Sequence, residues 1–409
     1  MIEKKIIPGV LILMISALPA VDFNRAPDAL KPFPAVQGSG KKDVNVISNP
    51  KTPQPPDGKP VFMIFKEDLS IGVREGDENY MFGNRVYFNT DGDGNFYVTD
   101  WDRKRIQKYD PQGKYLLTIG RPGQGPGEFQ NVWRPEFDKV GNLYVTDIAA
   151  NRISFFDKVG LFLKQIKFPP RFSPTLVNSR GLLVGSQTVI EENPDKFTSI
   201  YGLFNDQFKT VAELQKTVWE PKRSSGSGEE ALVESLANNV SDQAFKANPF
   251  YLMGQDDFIW FGYSEKYEIR VYDPEGRLDR IIQREYDPRP ITKKDKERFL
   301  AEQENEFFRF LPAPAKGLKN KVVERIEFPK NKPAYSSFVL MENGWLAVVI
   351  ETADNGDTVF DLFDKEGRYI AHFQGPVPSE GLFFNNGMAY ALKTEDDYKY
   401  VRRYRFEIR

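Results

Sequence analysis

An all-β, six-bladed β-propeller, closed by a strand from the N-terminal side, is the fold this sequence predicts. Three observations predict it: a segment that repeats after 47 positions, a turn motif that recurs along the chain, and unmatched strand candidates near its two ends. The repeat runs from Gly94 to Ile166. Gly94-Asn95-Phe96-Tyr97-Val98-Thr99-Asp100, Arg105-Ile106, Tyr109-Asp110, Gly113 and Ile119 return 47 positions later as Gly141-Asn142-Leu143-Tyr144-Val145-Thr146-Asp147, Arg152-Ile153, Phe156-Asp157, Gly160 and Ile166. A period of this size, carrying several short strands, marks one propeller blade.

The turn motif counts the blades. Asp110-Pro111-Gln112-Gly113 puts Asp first, Pro with its preset φ second and Gly fourth, as a tight turn requires. It recurs at Asp157, Asp273 and Asp364, with a degraded copy at Asn205-Asp206-Gln207-Phe208. The last two intervals, 68 and 91, exceed one period by 21 and 44 residues, so insertions are expected at about 217–247 and 283–332. Five turns give five complete blades. A sixth turn would fall just past the final residue, which leaves Tyr404-Arg405-Phe406 as a third strand without a fourth. Val61–Leu69, a strand candidate with no repeat partner, can supply it and remove an exposed sheet edge.

The segments before the blades follow from composition. Lys4 and Lys5 precede an apolar run, Ile6 to Leu18, with small residues at Ala17 and Ala20; residues 1–20 read as a signal peptide, with an uncleaved anchor as the alternative. Residues 21–60 carry eight prolines among small and polar residues and are expected to be a disordered Pro-rich linker. The propeller then occupies 61–409. The chain has no cysteine, and 56 basic against 58 acidic residues leave no electrostatic footprint for nucleic acid. No later segment approaches 18 uninterrupted apolar residues, so no further membrane span is expected. An exported protein, periplasmic or extracellular, is the expectation.

The first two blades resemble the NHL repeat. Gly94 to Asp100 with Arg105-Ile106-Gln107-Lys108-Tyr109-Asp110 looks like its core, as does the second copy, and Gly123-Gln124-Gly125-Pro126-Gly127-Glu128-Phe129 is similar to the Gly/Pro-rich connector between such repeats. The resemblance implies a six-bladed scaffold of exported bacterial type; such scaffolds serve many functions.

Links between blades and second-to-third strand turns share one face of a propeller, so both insertions rise from the same face and flank the fourth blade. That face, with Asp102, Arg103, Lys104, Asn151, Glu265 and Lys266 in its turns, is the expected binding face. A helix is expected in the second insertion, started by Thr292 and Asp295 as a capping box, with Phe299, Leu300, Phe307, Phe308 and Leu311 on one stripe. It can act as a lid or simply clad the disc. Leu232, Val233, Leu236 and Val240 make a poorer stripe in the first insertion.

Candidate ligand-binding residues lie at the inner ends of the blades: Arg85, Trp133, Arg134, Glu136, Asn248 and Tyr335. Two arginines with one acid argue for an anionic or carbohydrate ligand over a divalent-cation cage, because Arg pairs carboxylates and aromatic rings stack on sugars. Any one of them can instead pack between blades. Asn89-x-Asp91-x-Asp93-Gly94 superficially matches a calcium loop, making Asp91 and Asp93 weak metal candidates, but the segment already reads as a hairpin turn.

No catalytic residue is assigned and no cofactor is expected, calcium being left open. His372 is the only histidine and falls on an outer strand, far from the axis; zinc held by several histidines and a cysteine nucleophile have no residues to use. The leading reading is a non-catalytic recognition propeller binding a glycan, peptide or protein on the insertion-bearing face. The alternatives are a metal-dependent hydrolase of the lactonase or lyase kind, which six-bladed lactonases suggest by resemblance, and a structural envelope or assembly protein.

Overall fold

The 47-residue offset is a structural period. In the computed structural model, which describes residues 44–409 apart from 191–195, 221, 223, 225–226 and 255, Phe96–Asp100 pairs antiparallel with Arg105–Tyr109, and Leu143–Asp147 pairs in the same register with Arg152–Phe156. Six sheets follow one another. Blades I to V start with innermost strands Val86–Thr90, Val132–Phe137, Phe172–Val177, Pro249–Met253 and Ser337–Leu340 and step outward through three more.

Blade VI contains Phe383–Asn385, Met388–Glu395 and Tyr398–Ile408 from the C-terminal end, and Met63–Ile71 as its outermost strand. The expected closure is therefore present, with Phe65 opposite Phe406. Asp68 accepts from Arg403 at 2.9 Å and Arg405 at 3.0 Å across this seam. The ring holds together because each pair of neighbouring blades encloses an apolar layer. Tyr97, Val145 and Phe156 fill the layer between I and II; Phe88, Val98 and Tyr390 fill that between VI and I.

The recurring turn has one chemistry throughout. The first-position side chain accepts N–H groups two and four residues on, at Asp110, Asp157, Asn205, Asp273 and Asp364 alike. Glycine follows in the left-handed region at four of them; the degraded copy forces Phe208 to φ 58° instead. Phe208 is kept there by packing on Phe172 at 5.1 Å between ring centroids.

One expectation needs correcting. Within the stretch expected to be a disordered linker, Asn45–Asn49 is a strand, laid parallel against the outer strand of blade IV, Leu278–Arg284. The chain then crosses to blade V, where the Asn49 side chain donates to the Gly367 carbonyl at 3.0 Å and accepts the Tyr369 N–H at 2.7 Å. The prolines conceal a β-prone run, Val44-Asn45-Val46-Ile47, and the open edge of blade IV provides its backbone partners. The expectations for residues 1–20 and 21–43 lie outside the described residues. Among the described residues no helix is long and apolar enough to cross a membrane.

Both insertions are helical and pack on each other. The first contains α1 (Glu229–Ser241); the second contains α2 (Lys293–Glu306), α3 (Ala313–Lys316) and α4 (Lys319–Glu324). Val233, Ala237 and Val240 of α1 share a buried cluster with Phe308, Val322 and Ile326, against which Phe299, Leu300, Phe307 and Leu311 pack. Lys321–Glu229 and Arg325–Glu230 contacts, each 2.5 Å, line its solvent side. The two insertions make one cap, which the stripes foretold separately but not as a pair.

Candidate functional site

The cap covers part of the disc on the face carrying the links between blades. A cavity of about 480 Å³ lies beneath it, with Phe245 and Lys246 from the first insertion, Arg289, Asp295, Arg298 and Phe299 from the second, and Asn248, Ser264, Ile350, Glu351 and Thr352 from blades IV and V. A second hollow, about 680 Å³, adjoins it between the insertions, along Phe245, Lys246, Tyr286 and Lys330.

The wall of the first cavity is an ion-pair ladder. Glu351 of blade V meets Arg289 at 2.9 Å and Lys332 at 3.0 Å; Lys332 meets Asp295 at 2.8 Å; Asp295 meets Arg298 at 3.1 Å. Asp295 is also the third residue of the α2 capping box: it accepts the Thr292 N–H at 2.9 Å, and its own N–H donates to the Thr292 hydroxyl at 3.2 Å. Burial alone would raise the Asp295 pKa, but the Lys332 ammonium and the Thr292 N–H and hydroxyl outweigh it and bring it down to about 2. The ladder thus fixes the cap to blade V and lines the cavity with held charges of both signs. Beside Phe245, Phe299 and Ile350, such fixed charges can orient a ligand bound against a mainly apolar wall.

The six residues singled out from the sequence divide into two groups. Asn248 and Tyr335 lie at the cavity, but Tyr335 is fully buried and its hydroxyl donates to the Glu268 carbonyl at 3.3 Å. It packs over Gly262, where any Cβ would overlap the tyrosine hydroxyl; it is a structural residue. Asn248 is exposed and held by the Ser264 hydroxyl, which accepts its N–H at 2.9 Å.

The other four belong to blades I and II. Arg85 stacks over the Trp101 ring at 3.1 Å and meets Asp102 at 3.4 Å. Trp133 stacks parallel on Tyr87 with centroids 5.8 Å apart. Arg134 lies over Phe383 at 4.9 Å and meets Glu136 at 3.3 Å. Burial raises the Glu136 pKa, and Arg134 opposes the shift.

Asp91 and Asp93 do not form a cation cage. The Asp91 carboxylate accepts the N–H groups of Asp93 and Asn95 at 3.0 and 2.9 Å and the Asn95 side-chain amide at 2.9 Å. Asp138 repeats the arrangement one blade later with Val140 and Asn142, so this is the fold's ordinary first-hairpin turn. Among the described residues no three of His, Cys, Asp and Glu are grouped so as to hold a metal ion.

His372 lies on the outer strand of blade V, as its spacing indicates, and its ring Nδ1 is 2.7 Å from Asp361. That aspartate is fully buried and accepts from Tyr267 at 2.6 Å, Tyr369 at 2.8 Å and Arg284 at 2.9 Å. Arg284 donates in turn to the Lys51 carbonyl at 2.9 Å, so the cluster anchors the N-terminal strand to blades IV and V. Sequence reasoning missed this cluster, and it missed Arg289, Lys332 and Glu351 of the cavity.

Residues 86–193 match a protein family described as a 6-bladed beta-propeller. Fold and family agree on six blades. The NHL resemblance, a finer statement, rests on the motifs quoted above. No curated protein matches the chain. Among solved structures, a Bacteroides fragilis protein thought to be exported is similar, with a TM-score of 0.51 and 12% identity over 89% of this chain and 100% of that one. Virginiamycin B lyase of Staphylococcus aureus aligns at a TM-score of 0.39 and 13% identity, over 84% of this chain and 99% of its own. A Xanthomonas campestris gluconolactonase aligns at 0.39 and 9%, over 78% and 86%. Likeness at these identities is likeness of fold.

Proposed function

We propose that this protein is a non-catalytic recognition module that binds its ligand on the capped face, and that it works outside the cytoplasm. The observation carrying this reading is the joint cap: two insertions separated by a whole blade pack together and roof a cavity of about 480 Å³ whose largely apolar wall carries a few fixed charges. Cavities of several hundred Å³ with a few fixed polar groups are where small or extended ligands bind. The location rests on the Lys4-Lys5 and apolar opening of the sequence.

The test uses the full chain on glycan and peptide arrays, beside the variant Thr352→Trp, which places an indole at the exposed rim of the cavity. Array signals lost in the variant support the reading. Equal signals from both proteins refute the cavity as the place of binding, and no array signal at all or metal-dependent turnover of lactone or ester substrates refutes the recognition reading.

A further inference from the structure

Blade II departs from blade I at one point, and the departure lies beside the axis. In blade I, Tyr87 pairs one-to-one with Thr99 between the pairs Val86–Asp100 and Phe88–Val98. In blade II the flanking pairs are Val132–Asp147 and Pro135–Val145, so Trp133 and Arg134 together stand opposite Thr146. One extra residue in one strand is a β-bulge, a device that re-aims side chains and recurs beside functional sites. The bulge is held in place from blade I, where the Thr99 hydroxyl donates to the Trp133 carbonyl at 3.0 Å and the Asn89 amide to the Pro135 carbonyl at 3.0 Å.

The bulge leaves an indole where burial would be usual. Trp133 is 46% exposed, and Tyr87 stacks on it with only 12° between the ring planes. Beside it, Arg134 lies over the Phe383 ring and is ion-paired with Glu136, and it has no other partner among the described residues. Glu136 is itself oriented by the Asn89 amide at 3.1 Å. A flat apolar ring bordered by a planar donor and a carboxylate acceptor matches a pyranose, which has an apolar C–H face and paired hydroxyls at its edge.

Charge decides between the two ligand classes that the residue types allow. Arg85 is matched by Asp102, Arg134 by Glu136, and Lys399 by Glu380 at 2.6 Å, so each cation nearest the stacked pair already has its own carboxylate. An anion would have to compete with those carboxylates; an uncharged ligand does not. We propose that Trp133 and Arg134 form a saccharide subsite beside the axis that takes the ring of an uncharged pyranoside. This rests on the recognition reading above and supplies a ligand class for the same face.

The test is binding of the full chain to immobilised neutral gluco-, manno-, galacto- and xylo-oligosaccharides, with oligogalacturonides and peptides alongside. Trp133→Ala is the main variant. Trp219→Ala, which removes an equally exposed indole stacked on Phe197 in blade III, is the control. At least one neutral saccharide is expected to bind, roughly tenfold more weakly to Trp133→Ala and unchanged for Trp219→Ala, with little dependence on salt. No neutral saccharide bound, full binding by Trp133→Ala, or binding of acidic saccharides or peptides alone overturns the subsite. Binding lost in Thr352→Trp but kept in Trp133→Ala overturns the subsite and leaves the cavity reading standing. The reverse pattern upholds the subsite and removes the cavity as the place of binding.

Discussion

Replacing Asp295 by Asn tests whether the ion-pair ladder holds the cap. The variant keeps the shape of the side chain and an oxygen for the Thr292 N–H, but it loses the charge that faces Lys332 and Arg298 at 2.8 and 3.1 Å. Asp295 is buried, at 6% exposure, so solvent screens the lost interaction little. Its folded-state pKa is brought down to about 2 from the ordinary carboxyl value of 3.8, a difference that corresponds to about 2 kcal/mol at neutral pH. The sign follows from the depression. The stabilisation is complete above the unfolded-state pKa and is lost as pH falls toward 2.

Thermal melts from pH 7 to pH 2 measure this, with amide exchange of residues 293–306 as the local readout. Wild type should approach the variant as pH falls, and exchange in α2 should be faster in the variant at pH 7. Equal melting and equal exchange at pH 7, or a gap that persists unchanged at pH 2, would refute the reasoning.

Two further predictions concern the N-terminal clamp. Asp361→Ala leaves Arg284 and two tyrosine hydroxyls without their common acceptor and should cost about 3–5 kcal/mol in a denaturant titration. His372→Ala, at a side chain 51% exposed, should cost less than about 1 kcal/mol; equal losses would contradict the central place given to Asp361. Deleting residues through 60 should give a folded protein with a lower melting temperature, because the closing strand Met63–Ile71 remains. Deleting through 72 should expose the edge of Tyr398–Ile408 and give aggregate on gel filtration; a folded monomer would show that closure is dispensable.

The architecture was legible because it is written in local chemistry. Asp110 or Asp273 makes its turn with residues two and four positions away, so counting such turns counts blades, and Val61–Leu69 and Tyr404-Arg405-Phe406 were left over to pair. The strand Asn45–Asn49 was hidden because its partner is an edge more than 230 residues distant, while its own neighbourhood is rich in proline. The cavity depends on Glu351, Lys332 and Asp295 meeting between a blade and a helix, and no spacing rule connects them. Tyr335 misled for a related reason: its position at a blade's inner end was right, but Gly262 leaves the space that buries it. The bulge was readable only as a one-residue shift, Val86 to Val132 being 46 positions where Phe88 to Pro135 is 47.

The parallel course of Asn45–Asn49 beside Leu278–Arg284 has a mechanical meaning. Outer strands run from the Asp-x-x-Gly side of the disc toward the side of the links, so the polypeptide enters the disc at Val44 on the side away from the cap. Tension applied through Val44 acts along the strand and loads its five registered residue pairs together in shear, instead of opening them one at a time. Asn49 passes the load to blade V, and Met63–Ile71 passes it to blade VI, so three blades resist one pull. A molecule tethered by this end would present its cavity away from the tether and keep its ring closed under force.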